Sequence, residues 1–295
     1  MNQQRIMLAG TTFDSPVIHR LCDVYNVVGV YLARRGSIKD LSVQQGSDFA
    51  SLLESTRPDA CVVLSPIPSL SNQIEDLIIE GVSVLCAGPI HSQSTVANYL
   101  TGPSSNLTIS SPQTYSPVYE RIVHQSQRAA FGESVYLRYF SRVGPGLAGA
   151  WWSACQALDQ ACRLLAADVV SAVVIATRIG TRYHLNITLK MSNRANAQLT
   201  LVPEYLDDES DYTLLGTGGL LNYSARDNTS GIISKQRLQS IKRPDQCSHC
   251  RWIGAFGEGR ESIRPTIVSS DLLPLLYLAI RKARKTGEPV NLLDM

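Results

Sequence analysis

Apolar residues in the first third of the chain come in short runs, separated by stretches where they recur at helical spacing. Arg5 to Ala9 is such a run and ends at Gly10, which predicts a buried strand followed by a tight loop. From Pro16 to Tyr25 the apolar positions are Val17, Ile18, Leu21 and Val24, the stripe of one helix face. Ser15 stands where an N-cap belongs and Pro16 where the first helical residue belongs. Val27 to Leu32 reads as a second strand, Asp48 to Glu54 as a short helix and Ala60 to Leu64 as a third strand, broken by Ser65-Pro66-Ile67-Pro68. A helix over Asn72 to Glu80 and a strand over Val82 to Cys86 follow, and Gly88-Pro89 ends the strand. Strand and helix alternating at this interval call for parallel strands joined by helical crossovers, hence a Rossmann-like domain.

The pattern then changes. Residues 101–118 are rich in Ser, Thr, Pro and Asn around one short strand, Leu107 to Ile109, and Tyr119 to Ala130 looks helical. Ser134 to Phe140, His184 to Lys190, Ala197 to Val202 and Tyr212 to Leu215 alternate apolar and polar, as strands with one open face do. Ala154 to Ala166 is an apolar helix, Ser171 to Arg178 a strand, and Ser270 to Lys285 a last helix. Its closing Arg281, Lys282, Arg284 and Lys285 suit a helix C-terminus. The expected class is α/β: an N-terminal Rossmann-like parallel sheet domain, then a C-terminal α/β domain with a large, mostly antiparallel, open-faced sheet.

Composition narrows the function classes. The chain has 295 residues, 44% of them apolar, which excludes general disorder. Its 27 Lys and Arg against 25 Asp and Glu leave a net charge of +2, so no overall field draws it to nucleic acid or to a membrane surface. No run approaches the roughly 18 apolar residues of a spanning helix. Charged residues are scarce, at 18%. The seven cysteines are odd in number and mostly isolated in apolar runs (Cys61, Cys86, Cys155, Cys162), which reads as reduced thiols in a cytoplasmic protein. Met1 to Arg5 leads straight into a strand-like run, so no signal peptide is expected.

The order and spacing of several segments resemble the glucose–fructose oxidoreductase / inositol dehydrogenase / rhizopine-catabolism (Gfo/Idh/MocA) oxidoreductases over nearly the whole chain. They are the opening strand and Gly10 turn, Arg57 to Pro89, the stretch from Tyr115 to Phe140, and the closing Leu275 to Leu292. The resemblance implies an NAD(P)-binding domain over 1–118 and a sheet domain for substrate and oligomer contacts over 119–269. It implies that the last helix, 270–285, packs back on the first domain. It also implies a dimer or tetramer formed through the open sheet face.

The site motifs depart from that family. A dinucleotide fingerprint needs three small residues in Gly-x-Gly-x-x-Gly order, and Gly10-Thr11-Thr12-Phe13-Asp14-Ser15 keeps only Gly10. Thr12 adds a side chain where the backbone must approach a pyrophosphate, and Asp14 adds a repelling charge. An altered or absent nucleotide site and a tolerated variant whose turn is held by Gly10 and Ser15 both stay open, with Thr11 among the candidate cofactor contacts. The second strand ends Leu32-Ala33-Arg34-Arg35 without the usual acid; Arg34 and Arg35 suit the 2′-phosphate of NADP, or are solvated surface groups. Ser65, Pro66 and Pro89 complete the candidate cofactor contacts. By resemblance, Ala87-Gly88-Pro89 stands for a Glu-Lys-Pro motif, so Gly88 replaces a lysine. Trp152, Gln156 and Asp159 stand for an Asp, a His and an Asp, of which only the last is kept.

Hydride transfer from an alcohol needs a base for the hydroxyl proton, and Gln156 cannot titrate. Substitute candidates are His91, Tyr115, Tyr119 and His124, with surface or packing roles as the alternatives. Trp151 and Trp152 are either an aromatic wall for a planar or sugar-like ligand or ordinary core. Cys247-Ser248-His249-Cys250 has the spacing of half a zinc site, but no second ligand pair lies near it, and it reads as reduced thiols in a loop. Two functions follow. One is an atypical NAD(P)-dependent oxidoreductase acting on a sugar-like or other small hydroxyl, carbonyl or imine substrate. The other is a non-redox binding or partner subunit, paired with itself or with an active relative. NADP, NAD and no dinucleotide at all stay open, and no metal is expected.

Overall fold

The computed structural model describes residues 4–10, 15–33, 37–65, 71–88, 106–144, 146–203, 210–224, 229–234, 237–240, 247–257 and 272–295. They fall into two compact units, residues 1–116 with 246–266 and residues 117–245 with 267–295.

The first unit begins β1 (Ile6–Gly10), α1 (Ser15–Val24), β2 (Val27–Leu32), β3 (Gln44–Gly46), α2 (Phe49–Thr56), β4 (Ala60–Val63), α3 (Ser71–Ile79), β5 (Ser83–Cys86) and β6 (Leu107–Ile109). All six strands are parallel, in the order β3-β2-β1-β4-β5-β6. β1 is central and every one of its residues is buried, as expected of a strand covered on both faces. Ser15 is itself the first helical residue of α1, and Ile18 and Leu21 carry that helix's buried stripe. α2 starts where Asp48 caps it. Its carboxylate accepts the Ser51 N–H at 3.4 Å and the Ser51 hydroxyl at 2.7 Å, which hold it below the usual carboxylate range.

The second unit has α4 (Pro117–Ser126), β7 (Ser134–Arg142), α5 (Gly146–Leu165), β8 (Val169–Ile179), β9 (Arg182–Met191), β10 (Asn196–Val202), β11 (Asp211–Gly216), β12 (Gly219–Ser224), β13 (Thr229–Ser234) and β14 (Arg237–Ser240). The chain returns to the first unit for α6 (Ser248–Gly257) and ends in the second with α7 (Leu272–Thr286) and β15 (Val290–Asn291). The sheet order is β14-β13-β12-β11-β7-β10-β9-β8-β15, and among these pairs only β10 with β7 is parallel. Leu137, Tyr139, Leu185, Ile187 and Leu199 point to the buried face, where α5 lies across β7, β10 and β9. Tyr136, Arg138, Phe140 and Gln198 alternate to the other face; the Tyr136 hydroxyl donates to Gln198 Oε1 at 3.1 Å, and Arg138 lies 4.5 Å from the Phe140 ring centre. Among the described residues no helix is long and apolar enough to cross a membrane.

The expected α/β class, with one parallel and one mostly antiparallel sheet, is what the structure has. Several finer expectations are corrected. The last helix belongs to the second unit. Leu276, Ala279, Ile280 and Ala283 bury its stripe against β8 and α5, and the chain then adds β15 to the edge of β8, pairing Val290 with Val174. The described residues 247–257 belong to the first unit, although the sequence alone groups them with the second domain. α5 starts well before Ala154, so Trp151 and Trp152 lie within it. β3, β12, β13 and β14 were not anticipated, because their short, polar or Gly-containing runs carry little alternation.

The entry into α5 depends on two glycines. A Cβ on Gly149 would lie 2.6 Å from the Gly144 carbonyl carbon, and one on Gly144 would lie 2.8 Å from the Gly149 oxygen. Backbone meets backbone there, so nothing can rotate away. Gly149→Ala is expected to cost about 1–3 kcal/mol by overpacking, despite alanine's better helix propensity. A thermal melt checks this; an unchanged or raised melting temperature would show that the turn can open.

Candidate functional site

In a parallel sheet with this strand order, the direction of connection reverses between β1 and β4, and the carboxyl ends of strands at such a reversal are where open α/β sheets bind their ligands. Backbone hydrogen bonds tie that edge together one residue past each strand. Ala33 N–H donates to the Gly10 carbonyl at 3.0 Å, Leu64 to Ala9 at 2.9 Å, Ala87 to Val63 at 2.9 Å and Ser110 to Cys86 at 3.0 Å. These bonds set Gly10, Ser65 and Gly88 on one edge. The described residues just beyond the strands, Gly10, Ala33, Leu64, Ser65, Ala87, Gly88 and Ser110, include no acid and no base. Thr11, Thr12, Arg34, Arg35, Pro66, Pro89 and His91 lie outside the described residues. Cys61 and Cys86, beneath the edge, are fully buried; burial pushes the Cys61 thiol up to about 12 and the Cys86 thiol well above its ordinary value, so both stay protonated and unreactive.

Tyr115 closes a 3-10 turn, Pro112–Tyr115, that follows β6. The turn is buried yet polar: Ser110 and Thr114 are fully covered, and Thr114 Oγ1 donates to the Ser111 carbonyl at 2.7 Å. α6 holds it from far along the chain. Trp252 Nε1 donates to Ser110 Oγ at 2.7 Å and Arg251 Nη1 to the Tyr115 carbonyl at 3.1 Å. Tyr115 is thus a well-positioned buried residue of the first unit, 5% exposed. The sequence singled out Tyr115 but missed the helix that fixes it.

In the second unit, Trp152, Gln156 and Asp159 follow one another on α5 at one-turn spacing. Trp152 is buried, Gln156 half-buried and Asp159 only 1% exposed. Asp159 Oδ2 accepts from Arg163 Nε at 3.0 Å, one turn on. Its charge adds to burial in raising the Cys155 thiol and in pushing the Cys162 thiol up to about 12. Trp151 points elsewhere: its indole N–H donates to the Leu273 carbonyl at 2.9 Å and its ring meets Tyr277 edge-on at 5.8 Å, so it joins α5 to α7.

A neighbouring polar cluster went unnoticed in the sequence. The Tyr212 hydroxyl donates to Gln160 Oε1, and the Tyr139 hydroxyl, Ser210 Oγ and Ser141 Oγ form a chain with steps of 2.7 and 3.2 Å, all buried. Burial raises both tyrosine hydroxyls, so they remain protonated donors. The inward-facing alternation of Tyr139, Ser141 and Tyr212 was the signal available. Chemically, Gln156 can hydrogen-bond but cannot titrate, and the carboxylate of the stripe, Asp159, is held by Arg163. Among the described residues no group of three or more His, Cys, Asp or Glu is placed to hold a metal ion.

No protein-family model matches the chain, and no curated protein matches it. Solved structures do. An oxidoreductase from Agrobacterium radiobacter, in complex with NAD+, L-tartaric acid and magnesium, is 14% identical over 100% of both chains, with a TM-score of 0.72. UDP-N-acetylglucosamine 3-dehydrogenase from Acidithiobacillus ferrooxidans is 15% identical over 97% of this chain and 98% of its own, with a TM-score of 0.72. An oxidoreductase from Thermotoga maritima is 16% identical over 99% of each, with a TM-score of 0.71. From its first strand to its last, this chain has the fold of these oxidoreductase structures.

Proposed function

We propose that this protein is a divergent Gfo/Idh/MocA-type protein that binds NADP or NAD at the carboxyl edge of β1 and β4 and has lost the usual Lys/Asp/His proton relay. Its substrate class would be a sugar-like or other small hydroxyl, carbonyl or imine compound. The observation that carries this reading is the Gly10 edge. It sits at the reversal of strand order, is free of side-chain bulk at Gly10 and Gly88, and carries no opposing acid among its described residues. Gly10, Thr11, Thr12 and Ser15 would face the pyrophosphate, Arg34 and Arg35 a 2′-phosphate, and Ser65, Pro66 and Pro89 the remainder of the dinucleotide. Bound there, the dinucleotide supplies hydride transfer. His91 and Tyr115 are the groups assigned to the proton; Gln156 and Asp159 are assigned to orientation.

A second reading is favoured by one observation: the α5 stripe offers a buried Trp, an amide that cannot titrate and an Asp ion-paired with Arg163. A non-redox binding or partner subunit needs no more than that. In both readings the open face carrying Tyr136, Arg138 and Phe140 is assigned to assembly, with a second copy or a related active subunit.

Titration with NADH and NADPH separates the two readings, following quenching of the three tryptophans and the melting temperature. Binding is expected, NADPH more tightly than NADH. At a hundredfold excess over Kd it should stabilise the protein by about 2.7 kcal/mol, a shift of several degrees. With cofactor bound and a substrate found, Tyr115→Phe should lower kcat. No quenching and no thermal shift at millimolar cofactor would sink the dinucleotide reading and leave the partner-subunit one.

A further inference from the structure

The Cys247-Ser248-His249-Cys250 stretch has no part in the reading above. The sequence placed these thiols in a loop; the structure places them at the start of α6, with Cys247 in the capping position and Cys250 in the first turn. There the Cys247 sulfur accepts the Cys250 thiol proton. It also accepts from His249 and from the Cys250 backbone N–H, the donor a helix cap is expected to satisfy. The helix N-terminus adds partial positive charge, and α1, packed against α6, brings Arg20 beside Cys250. The Cys250 hydrogen bond, with these further donors, draws the Cys247 thiol far below its ordinary value, while Cys250, which keeps the shared proton, is raised.

This environment differs from that of Cys61, Cys86 and Cys155, which are buried and raised. Cys247 and Cys250 are free thiols and half-buried. Their helix is also fixed in place. The Tyr25 hydroxyl donates to the Cys250 carbonyl, and Arg251 and Trp252 anchor the next residues to the turn after β6. The two cysteines and His249 are not placed to share a metal ion.

We propose that Cys247 and Cys250 form a redox-active dithiol that exchanges with low-molecular-weight disulfides, with Cys247 as nucleophile and Cys250 as resolving thiol. The Cys247 thiolate attacks one sulfur of the disulfide RSSR. Its S–S bond breaks, a Cys247–SR mixed disulfide forms, and RS⁻ leaves and takes a proton. Cys250 then loses its proton and attacks the Cys247 sulfur, forming the Cys247–Cys250 bond and expelling a second thiolate, which is protonated. The protein dithiol is oxidised by two electrons and RSSR is reduced to two RSH.

The test is incubation of the full-length protein with glutathione disulfide, acid quench, and peptide mapping by mass spectrometry. The wild type is expected to lose two hydrogens within the peptide holding Cys247 and Cys250. Cys250→Ser is expected to stop at glutathione attached to Cys247. Cys247→Ser is expected to take up glutathione at Cys250 at least about tenfold more slowly, because that thiol lacks thiolate character. Serine is itself a good N-cap, so Cys247→Ser keeps the helix start, and an unchanged melting temperature confirms it. A pair that stays reduced, or equal uptake at the two positions in the single variants, would overturn the proposal.

Discussion

Replacing Trp151 with alanine is expected to destabilise the second unit by about 3–5 kcal/mol, the usual range for deleting a buried aromatic side chain. In a domain of this size that is a drop in melting temperature on the order of 10 °C. The residue is 5% exposed, its ring meets Tyr277 edge-on, and its indole N–H is the partner of the Leu273 carbonyl in α7. Removing it leaves a cavity between α5 and α7 and strips that carbonyl of its donor. Trp151→Phe separates the two effects: it keeps most of the packing and loses the hydrogen bond, and should cost about 1–3 kcal/mol. If Trp151 were instead a ligand wall, the alanine variant would melt near the wild-type temperature and change only small-molecule binding. A melt of both variants decides between core and wall.

That result also bears on why the sequence could be read so far and no further. β1, β4 and β5 were legible because a strand buried on both faces is an unbroken apolar run, and Ile6 to Ala9 and Ala60 to Val63 have nothing else in them. β7 and β9 were legible because one open face writes a period of two into the chain. α6 was not, because its place is set by single polar contacts, Trp252 to Ser110 and Arg251 to Tyr115, which join positions more than a hundred residues apart. The docking of α7 was not legible either. Its stripe of Leu276, Ala279 and Ile280 could serve any apolar surface, and only the continuation into β15 ties it to β8.

The candidate site divides along the same line. Residue type was readable: Gly88, Gln156 and Trp152 carry neither an acid nor a base. Protonation and partnership were not, since they depend on what folds beside each group. Cys61 and Cys247 are the same residue type, yet burial pushes one thiol up while the Cys250 hydrogen bond, with His249 beside it, draws the other down. Asp159 was readable as a retained carboxylate but not as one already held by Arg163.

Asp159 therefore gives the second large expected effect, and it tests directly whether a proton-transferring carboxylate sits on α5. The carboxylate is 1% exposed and bonded to a guanidinium that is 14% exposed. Removing one partner of a buried ion pair commonly costs about 3–5 kcal/mol, because the charge left behind is unpaired. Arg163 retains some access to water, so Asp159→Ala is expected at the lower end, about 3 kcal/mol. Asp159→Asn keeps the shape and an acceptor for Arg163 Nε and should cost less. Replacing both partners with apolar residues, Asp159→Leu with Arg163→Met, should recover much of the loss, since no lone charge remains. Loss of the Asp159 charge should also let the Cys162 thiol titrate at a lower pH than about 12, because that charge adds to burial in holding it up. A carboxylate acting as the catalytic base would behave in the opposite way: Asp159→Asn would fold and melt like the wild type while turnover vanished, and the apolar pair would be stable and dead. Graded melting temperatures with rescue by the double variant place Asp159 in the scaffold and leave the proton to the first unit; a stable, inactive Asp159→Asn would return it to α5.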